Sequence, residues 1–541
     1  MKPGAENRKL WLVFAALVAL VTLPFCLRPR QNLLAKADDT LVIISPHNEA
    51  LRFEFTQAFS RYYQATTGRS VLLDWRLPGG SSEIARYLSS EYLAAFQRTW
   101  KSTGRLWTAE IASAFDNPKI KPSGNPAIDS PAEAARRAFL SSKIGIGIDA
   151  YFGGGGFDFA QQAGAGRLVP SDVVRAHPDW FTDNSFPLNV SGEPLRDSEG
   201  RWFGACLSSF GICYNRDSLA RLGIAKPPAA WSDLCDPRYA RQVALADPNK
   251  SGSVAKAFEM VIQQQMQEAV ARSGTDTPEG LRQALAQGWL QGLRILQATS
   301  ANARYFTDSA TKIPLEVAQG DAAAGMCIDF YGRFQSEALG TGTAPSRMQY
   351  ITPKGGSSVG VDPIGILRGA PHRAVAEAFL AFVLSPEGQK LWNFKVGAPG
   401  GPEQYALRRL PIRKEIYRPE YAALRSDPAV IPYEEAKAFT YQPGWTSPLF
   451  RVIGFVVRVA CVDLHEEQAQ AWEALRDAGF PKQAREKFSD LSAVDYEVAW
   501  NRIKPVLSSH DRLQEVQLAR ELSEHFREQY RQAGQLAREG K

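Results

Sequence analysis

Cysteine and histidine are both scarce in this chain, six of each in 541 residues. The cysteines follow no metal-ligand spacing. Cys206 and Cys213 stand closest, and an extended run between them would hold them ~20 Å apart, beyond disulfide reach. Cys235, Cys327 and Cys461 are isolated, and most of these residues read as small buried apolar side chains. The chain also lacks a Gly-x-Ser-x-Gly elbow, a His-Glu-x-x-His helix, a Walker loop and a Gly-x-Gly-x-x-Gly turn opening a helix. These absences point away from an enzyme. No long block of one charge sign occurs either. The 63 basic and 57 acidic residues alternate along the chain for a net charge of +6, which argues against nucleic-acid binding. Solenoid-type repeats and low-complexity segments are absent as well.

The length exceeds what one compact core accommodates, so two or more lobes are expected. An apolar run at residues 10–27 follows Arg8 and Lys9 and precedes Arg28 and Arg30. About 18 apolar residues suit an export signal or a short membrane anchor. Residues 1–37 are read as that segment, which places the rest of the protein in the periplasm or another extracytoplasmic space.

Beyond the leader the pattern alternates strand and helix. Leu41 to Ile44 reads as a buried strand, and residues 49–66 as a helix carrying Phe53, Phe55, Phe59 and Tyr62. Val71 to Trp75 is a second strand. The turn at Gly79, Gly80, Ser81 and Ser82 opens another helix. Such alternation predicts an α/β fold with a parallel sheet. Residues 92–142 read as a helical insertion, with a helix start at Ser130, Pro131 and Glu133. Residues 144–150 read as a strand leading into Gly153 to Gly156. Residues 202–214 form a strand-like run long enough to pass between lobes, and residues 360–367 a second. Between them, a strand at 243–246, a loop at 247–253 and a helix at 254–267 repeat the α/β pattern. The strand at 322–328 ends at Asp329. After residue 430 the chain turns to amphipathic helix, with Leu513, Val516, Ala519, Leu522 and Phe526 on one stripe.

In this order the segments resemble the extracellular solute-binding proteins of ABC importers, in particular the ferric-iron-type branch of the type II periplasmic binding fold. Five pieces between residues 41 and 417 carry the resemblance. They are the first strand with its His47 loop, the strand ending at Tyr214-Asn215, and the run Pro228, Trp231, Asp233, Leu234, Asp236, Pro237 and Tyr239. The last two are the loop Asp247-Pro248 to Ser253 and the helix start Ser385-Pro386-Glu387-Gly388. The resemblance implies a two-lobed α/β clamp with a helical insertion and a helical C-terminal extension. Lobe 1 would span residues 38–211, lobe 2 residues 212–356, with a return to lobe 1 at 357–392 and the end of the clamp at 393–430. The extension would fill 431–541. It further implies a monomer that partners ABC permease subunits and needs no cofactor, iron entering only as a possible cargo.

Two ligand chemistries follow. Gly/Ser turns that open helices present free backbone N–H groups and a partial positive charge. Gly79, Gly80, Ser81 and Ser82 in one lobe, with Ser251, Gly252 and Ser253 in the other, could grip an anion such as a phosphate ester or carboxylate. Alternatively, the resemblance makes His47 a metal ligand, joined by Tyr331 and Asp329. Here the sequence departs from the ferric pattern, because Phe330 replaces one of two adjacent tyrosines and Gly153 to Gly156 fill the place of the carboxylate ligand. Asp362 reads as a further oxygen ligand or a loop cap. A partner-binding sensor that reuses the clamp is the alternative function, its helical tail being either the docking element or a brace on the lobes.

Overall fold

The computed structural model describes residues 37–340, 346–509 and 511–541; the leader reading and Cys26 lie outside them. Strand β1 (Asp39–Ile44) leads into α1 (Glu49–Thr67), whose Asn48 side chain accepts the Leu51 N–H and whose end is turned by Gly68 at φ +73°. Such a cap contributes about 1 kcal/mol. Then follow β2 (Val71–Arg76), α2 (Ser81–Ser102), α3 (Pro131–Ser141), β3 (Ala150–Phe152) and α4 (Gly156–Ala165). The chain crosses to lobe 2 along β4 (Phe203–Ser208) and β5 (Phe210–Asn215), parted only by Ser209. Lobe 2 continues with β6 (Val243–Ala246), α5 (Gly252–Ser273), α6 (Pro278–Ala301) and β7 (Ala303–Thr307). Next come α7 (Lys312–Gln319), β8 (Ala324–Ile328), α8 (Asp329–Ala338) and β9 (Met348–Ile351). β10 (Gly360–Leu367) returns to lobe 1, followed by α9 (Arg373–Leu384) and α10 (Pro386–Asn393).

The first sheet has the order β4-β10-β3-β1-β2, with the two-residue strand Leu410–Pro411 beyond β4. β1 pairs in parallel with β2 and β3, while β10 runs antiparallel to β3 and β4. The second sheet repeats the plan as β7-β6-β8-β5-β9, with β5 antiparallel to its neighbours. Two α/β lobes, each with one reversed strand set into a parallel sheet, make the type II periplasmic binding fold.

Lobe 1 is held by interlocked aromatics. Phe55 lies against Phe152, Phe382 and Trp392, and Phe59 against Phe379, at centroid distances of 4.6–6.4 Å. Each buried ring is worth roughly 2–3 kcal/mol. α2 runs unbroken through residue 92, so no structural boundary falls there. Its Phe96 stacks on Phe115 and meets Phe139 edge-on, which makes the segment read as an insertion a wall of the lobe 1 core. The strand expected at 144–150 is shorter and later, at Ala150–Phe152. Gly147 at φ +75° breaks the extended run, and Gly145 passes so close to Gly369 that a Cβ would lie 2.2 Å from its carbonyl oxygen.

The extension joins the core of lobe 2. Its elements include α11 (Phe450–Val457), α12 (His465–Asp477) and α13 (Arg512–Arg538). Tyr530 donates to the Ala460 carbonyl at 2.7 Å, and Trp289 of α6 donates to the Val494 carbonyl at 3.0 Å. The α13 stripe runs through Leu518, Leu522, Phe526 and Tyr530. Leu513 and Val516, expected on it, are exposed, since they lie in the first turns of α13 before the buried stripe begins at Leu518. Among the described residues, one helical stretch, Pro443–Val462, is long and apolar enough to span a membrane. It is mostly buried against lobe 2 and serves as a core helix.

Candidate functional site

A cavity of about 740 Å³ lies between the lobes, within the range of small-molecule sites. Gly80 and Ser81 at the start of α2, Gly155 and Gly156 at the start of α4, and Ser251, Gly252 and Ser253 at the start of α5 all line it. In the first turn of a helix the N–H groups have no intrahelical acceptor. Three such turns, two from lobe 1 and one from lobe 2, therefore border one space, with the Gly155 N–H engaged by Asp158 and the Val254 N–H by Ser251. The turns nearly touch across the cleft: a Cβ on Gly252 would lie 3.0 Å from the Ser81 hydroxyl, and one on Gly80 would lie 3.7 Å from the Lys250 carbonyl. Ser251 also caps its own helix by accepting the Val254 N–H. Gly79 and Ser82 do not line the cavity. Gly79 shapes the turn at φ +141°, with the Glu83 side chain packed where a Cβ would project.

His47 and Tyr331 line the same cavity, and a buried ion cluster sits with them. His47 Nε2 lies 3.0 Å from Asp362 Oδ2. The Arg409 guanidinium pairs with the same carboxylate, and its carbon lies 3.8 Å from the centre of the Phe330 ring. Asp362 also accepts the Gly154 N–H at 2.8 Å. Burial pushes this carboxyl upward, but His47 and Arg409 together outweigh it and hold it below the usual carboxylate range. Burial lowers His47, so the ring is neutral near pH 7. Gly153, at φ +97°, lets the imidazole in; a Cβ there would lie 2.6 Å from the ring.

Of the donor set His47, Tyr331 and Asp329, the first two line the cavity and Asp329 does not. Asp329 is fully buried outside the cavity, accepting the Phe330 N–H at 2.7 Å and pairing with Arg333 at 2.8 Å. Burial raises the Tyr331 phenol, which makes a phenolate ligand costlier, and a fixed guanidinium stands beside His47. Among the described residues no group of three or more His, Cys, Asp or Glu side chains is placed to hold a metal. Asp362, read as an oxygen ligand or a loop cap, is the anion that binds His47 and Arg409.

Several lining residues escaped the sequence reading. Arg409 lies in the run Leu407-Arg408-Arg409-Leu410-Pro411, where a pair of charges between leucines was the available signal. Lys256 pairs with Glu193 and Glu259, at 2.9 Å each, and Lys312 pairs with Asp308 at 2.6 Å. The Asp158 carboxyl is raised by desolvation although the Ser81 hydroxyl and the Gly155 N–H hydrogen-bond it. Acidic side chains outnumber basic ones in the lining, so formal charge alone does not mark the cleft as anion-seeking. The acids are already engaged by bases, hydroxyls or backbone, which leaves the helix first turns as its directional donors.

A family model described as bacterial extracellular solute-binding protein matches residues 165–427. The match covers just under half of the chain. The matched residues run from the end of α4 through lobe 2 and the return strand to Asp427, just short of the extension. Over 244 residues the chain is 25% identical to an uncharacterised protein of Haemophilus influenzae, covering 45% of this chain and 60% of that one. It is 25% identical over 185 residues to the phosphoglycerate transport regulatory protein PgtC of Salmonella typhimurium, covering 34% of this chain and 39% of PgtC. The chain thus spans less than two thirds of the length of either relative. The solved structure of the periplasmic binding protein AfuA from Actinobacillus pleuropneumoniae, with fructose-6-phosphate bound, aligns at a TM-score of 0.45 and 16% identity, over 81% of this chain and 98% of AfuA.

Proposed function

We propose that this protein is the solute-capturing component of an ABC-type import system outside the cytoplasm, and that its cleft closes on a small anion such as a phosphate ester or carboxylate. One observation carries the reading: the first turns of α2, α4 and α5, from opposite lobes, converge on a single cavity. Such turns are ready-made anion sites, combining unpaired N–H donors with the positive end of the helix dipole. Ser253 and the exposed Lys250 at the rim add further donors, and the Ser81 hydroxyl joins them when it turns from Asp158 to the solute. Arg409 supplies the one buried guanidinium of the lining, its charge shared with Asp362. Hinge motion of the lobes would open and shut the cleft. The name of the Salmonella relative, with its phosphate- and carboxylate-bearing solute, is consistent with this class. In this reading the chain performs no chemistry, residues 10–27 deliver or tether it, and permease subunits receive the solute.

A thermal-shift screen of the full chain against phosphate esters, carboxylates, ferric citrate and spermidine tests the proposal. A ligand that binds only the folded state stabilises it by about 2.7 kcal/mol at 100 times its Kd. Phosphate esters or carboxylates are expected to raise Tm with concentration, and Ser81→Ala combined with Ser253→Ala to weaken the effect. A rise with ferric citrate or spermidine alone, or with none of the panel, overturns the anion reading.

A further inference from the structure

The extension does more than complete the core of lobe 2. The chain leaves lobe 1 near Ala436, whose side chain packs in the lobe 1 core, and enters the lobe 2 core at Phe439. This is a third crossing, added to those at Ser209 and at residues 357–360. Just past it, Tyr441, Pro443, Ser447 and Phe450 line the interlobe cavity. The segment that carries them is held from behind. The Tyr441 N–H donates to Ser191 of lobe 1 at 2.8 Å, and its hydroxyl donates to Glu259 of α5 at 2.8 Å. The Lys256 ammonium lies 3.7 Å from the centre of the Tyr441 ring while it bridges Glu193 of lobe 1 to Glu259 of lobe 2. Gln263 of α5 grips the segment through the Gln442 carbonyl at 2.8 Å and the Thr446 hydroxyl at 2.7 Å. Asn249, in the loop before α5, donates to the Gly454 carbonyl at 3.1 Å.

The front of this segment meets the other lobe through two rings. Phe450 of the extension and Phe157, in the first turn of α4, stand 4.6 Å apart. Both are only half buried and both face the cavity. An aromatic pair reaching from one lobe to the other bounds the space and favours the closed arrangement by about 0.5–1.5 kcal/mol beyond the area it buries.

We infer that residues 441–450 are a third wall of the cleft, and that the Phe157–Phe450 contact sets the largest solute the closed lobes admit. This deepens the anion reading and, for solute size, rests on it. Calorimetric titration of the full chain with glycerol 3-phosphate and with AMP compares a small and a large phosphate monoester. Wild type is expected to favour glycerol 3-phosphate. Phe157→Ala and Phe450→Ala, both truncations of half-exposed rings that spare the core, are each expected to shift the affinity ratio at least tenfold toward AMP. The double variant is expected to go no further than either single one, because both remove the same contact. A ratio unchanged within twofold, with glycerol 3-phosphate still bound, overturns the inference.

A second measurement needs no ligand. Spin labels at Lys101→Cys on lobe 1 and Arg272→Cys on lobe 2, in a C26S and C235S background, report the distance between lobes. Phe450→Ala is expected to lengthen or broaden that distribution, and an unchanged distribution overturns the wall. If wild type binds neither phosphate monoester, the phosphate-ester part of the anion reading falls and the distance measurement alone decides the wall.

Discussion

Replacing Asp362 with asparagine isolates the charge on Arg409. In the wild type this buried carboxylate contacts the buried His47 ring at 3.0 Å, the half-buried Gly154 N–H at 2.8 Å and the buried Arg409 guanidinium. Asparagine keeps the shape and removes the charge, leaving a desolvated cation with no counterion. Breaking a buried pair from one side costs about 3–5 kcal/mol. At ~2–4 °C per kcal/mol for a cooperative unit of 150–250 residues, Tm should fall by ~6–20 °C. The same substitution frees Arg409 for an incoming anion. One unit charge at ~6 Å in an effective dielectric of ~20 is worth ~3 kcal/mol, up to about a 100-fold gain in affinity. The variant should therefore be less stable alone yet gain more from phosphate than wild type does. Differential scanning fluorimetry across a phosphate series reads both effects. A variant within ~1 kcal/mol of wild-type stability would refute the desolvated pair. A destabilised variant with no added response to phosphate would refute the placement of Arg409 at the solute.

The same cluster sets a pH dependence. His47 and Asp362 both have folded pKa values below their unfolded ones, so each contributes stability that is present at high pH and lost as pH falls. The His47 part should fade below about pH 6.5 and the Asp362 part below about pH 4; Tm measured against pH should lose the upper step in His47→Gln, and an unchanged step would place its origin elsewhere. Gly252→Ala should leave the unliganded protein as stable or up to ~1 kcal/mol more stable, since alanine favours the helix. Its Cβ, however, meets the Ser81 hydroxyl across the cleft, so affinity for a phosphate ester should fall at least tenfold by calorimetry; full affinity would mean that the turns do not close on the solute. Deleting residues 512–541 uncovers sites for Leu518, Leu522, Phe526 and Tyr530. At ~2 kcal/mol each, that loss of ~8 kcal/mol exceeds half the stability of most proteins. Lobe 2 should then be unfolded by near-UV circular dichroism, and a folded truncation product would show the tail to be a detachable docking element.

The fold was legible where local rules govern it. Leu41 to Ile44 form a buried run and Ser130-Pro131 a helix start, features that depend on a few neighbouring residues. The α/β alternation and the long crossing run at residues 202–214 belong to the same class. The strand expected at 144–150 failed because the close approach of Gly145 to Gly369 is a contact across 224 positions, and no local pattern announces it. Leu513 and Val516 carry the right helical spacing, but spacing cannot say how far the covering helices reach.

The site divides along the same line. Its Gly/Ser turns could be found because glycine and serine at a helix start have one local meaning, which survives whatever packs around them. The charged lining could not, because the role of a charge depends on its partner, and the partners are remote: His47 and Arg409 are 362 positions apart and meet at Asp362. In isolation His47 suggests a metal ligand. Paired with a carboxylate and set beside a guanidinium, it becomes a neutral spacer that holds Asp362 in place. The lining acids are likewise engaged before any solute arrives, Glu193 and Glu259 by Lys256 and Asp308 by Lys312. A tally of side-chain charges would therefore predict a cation. The pairing predicts the opposite, because once those pairs form, the groups left to turn toward a solute are peptide N–H donors and hydroxyls.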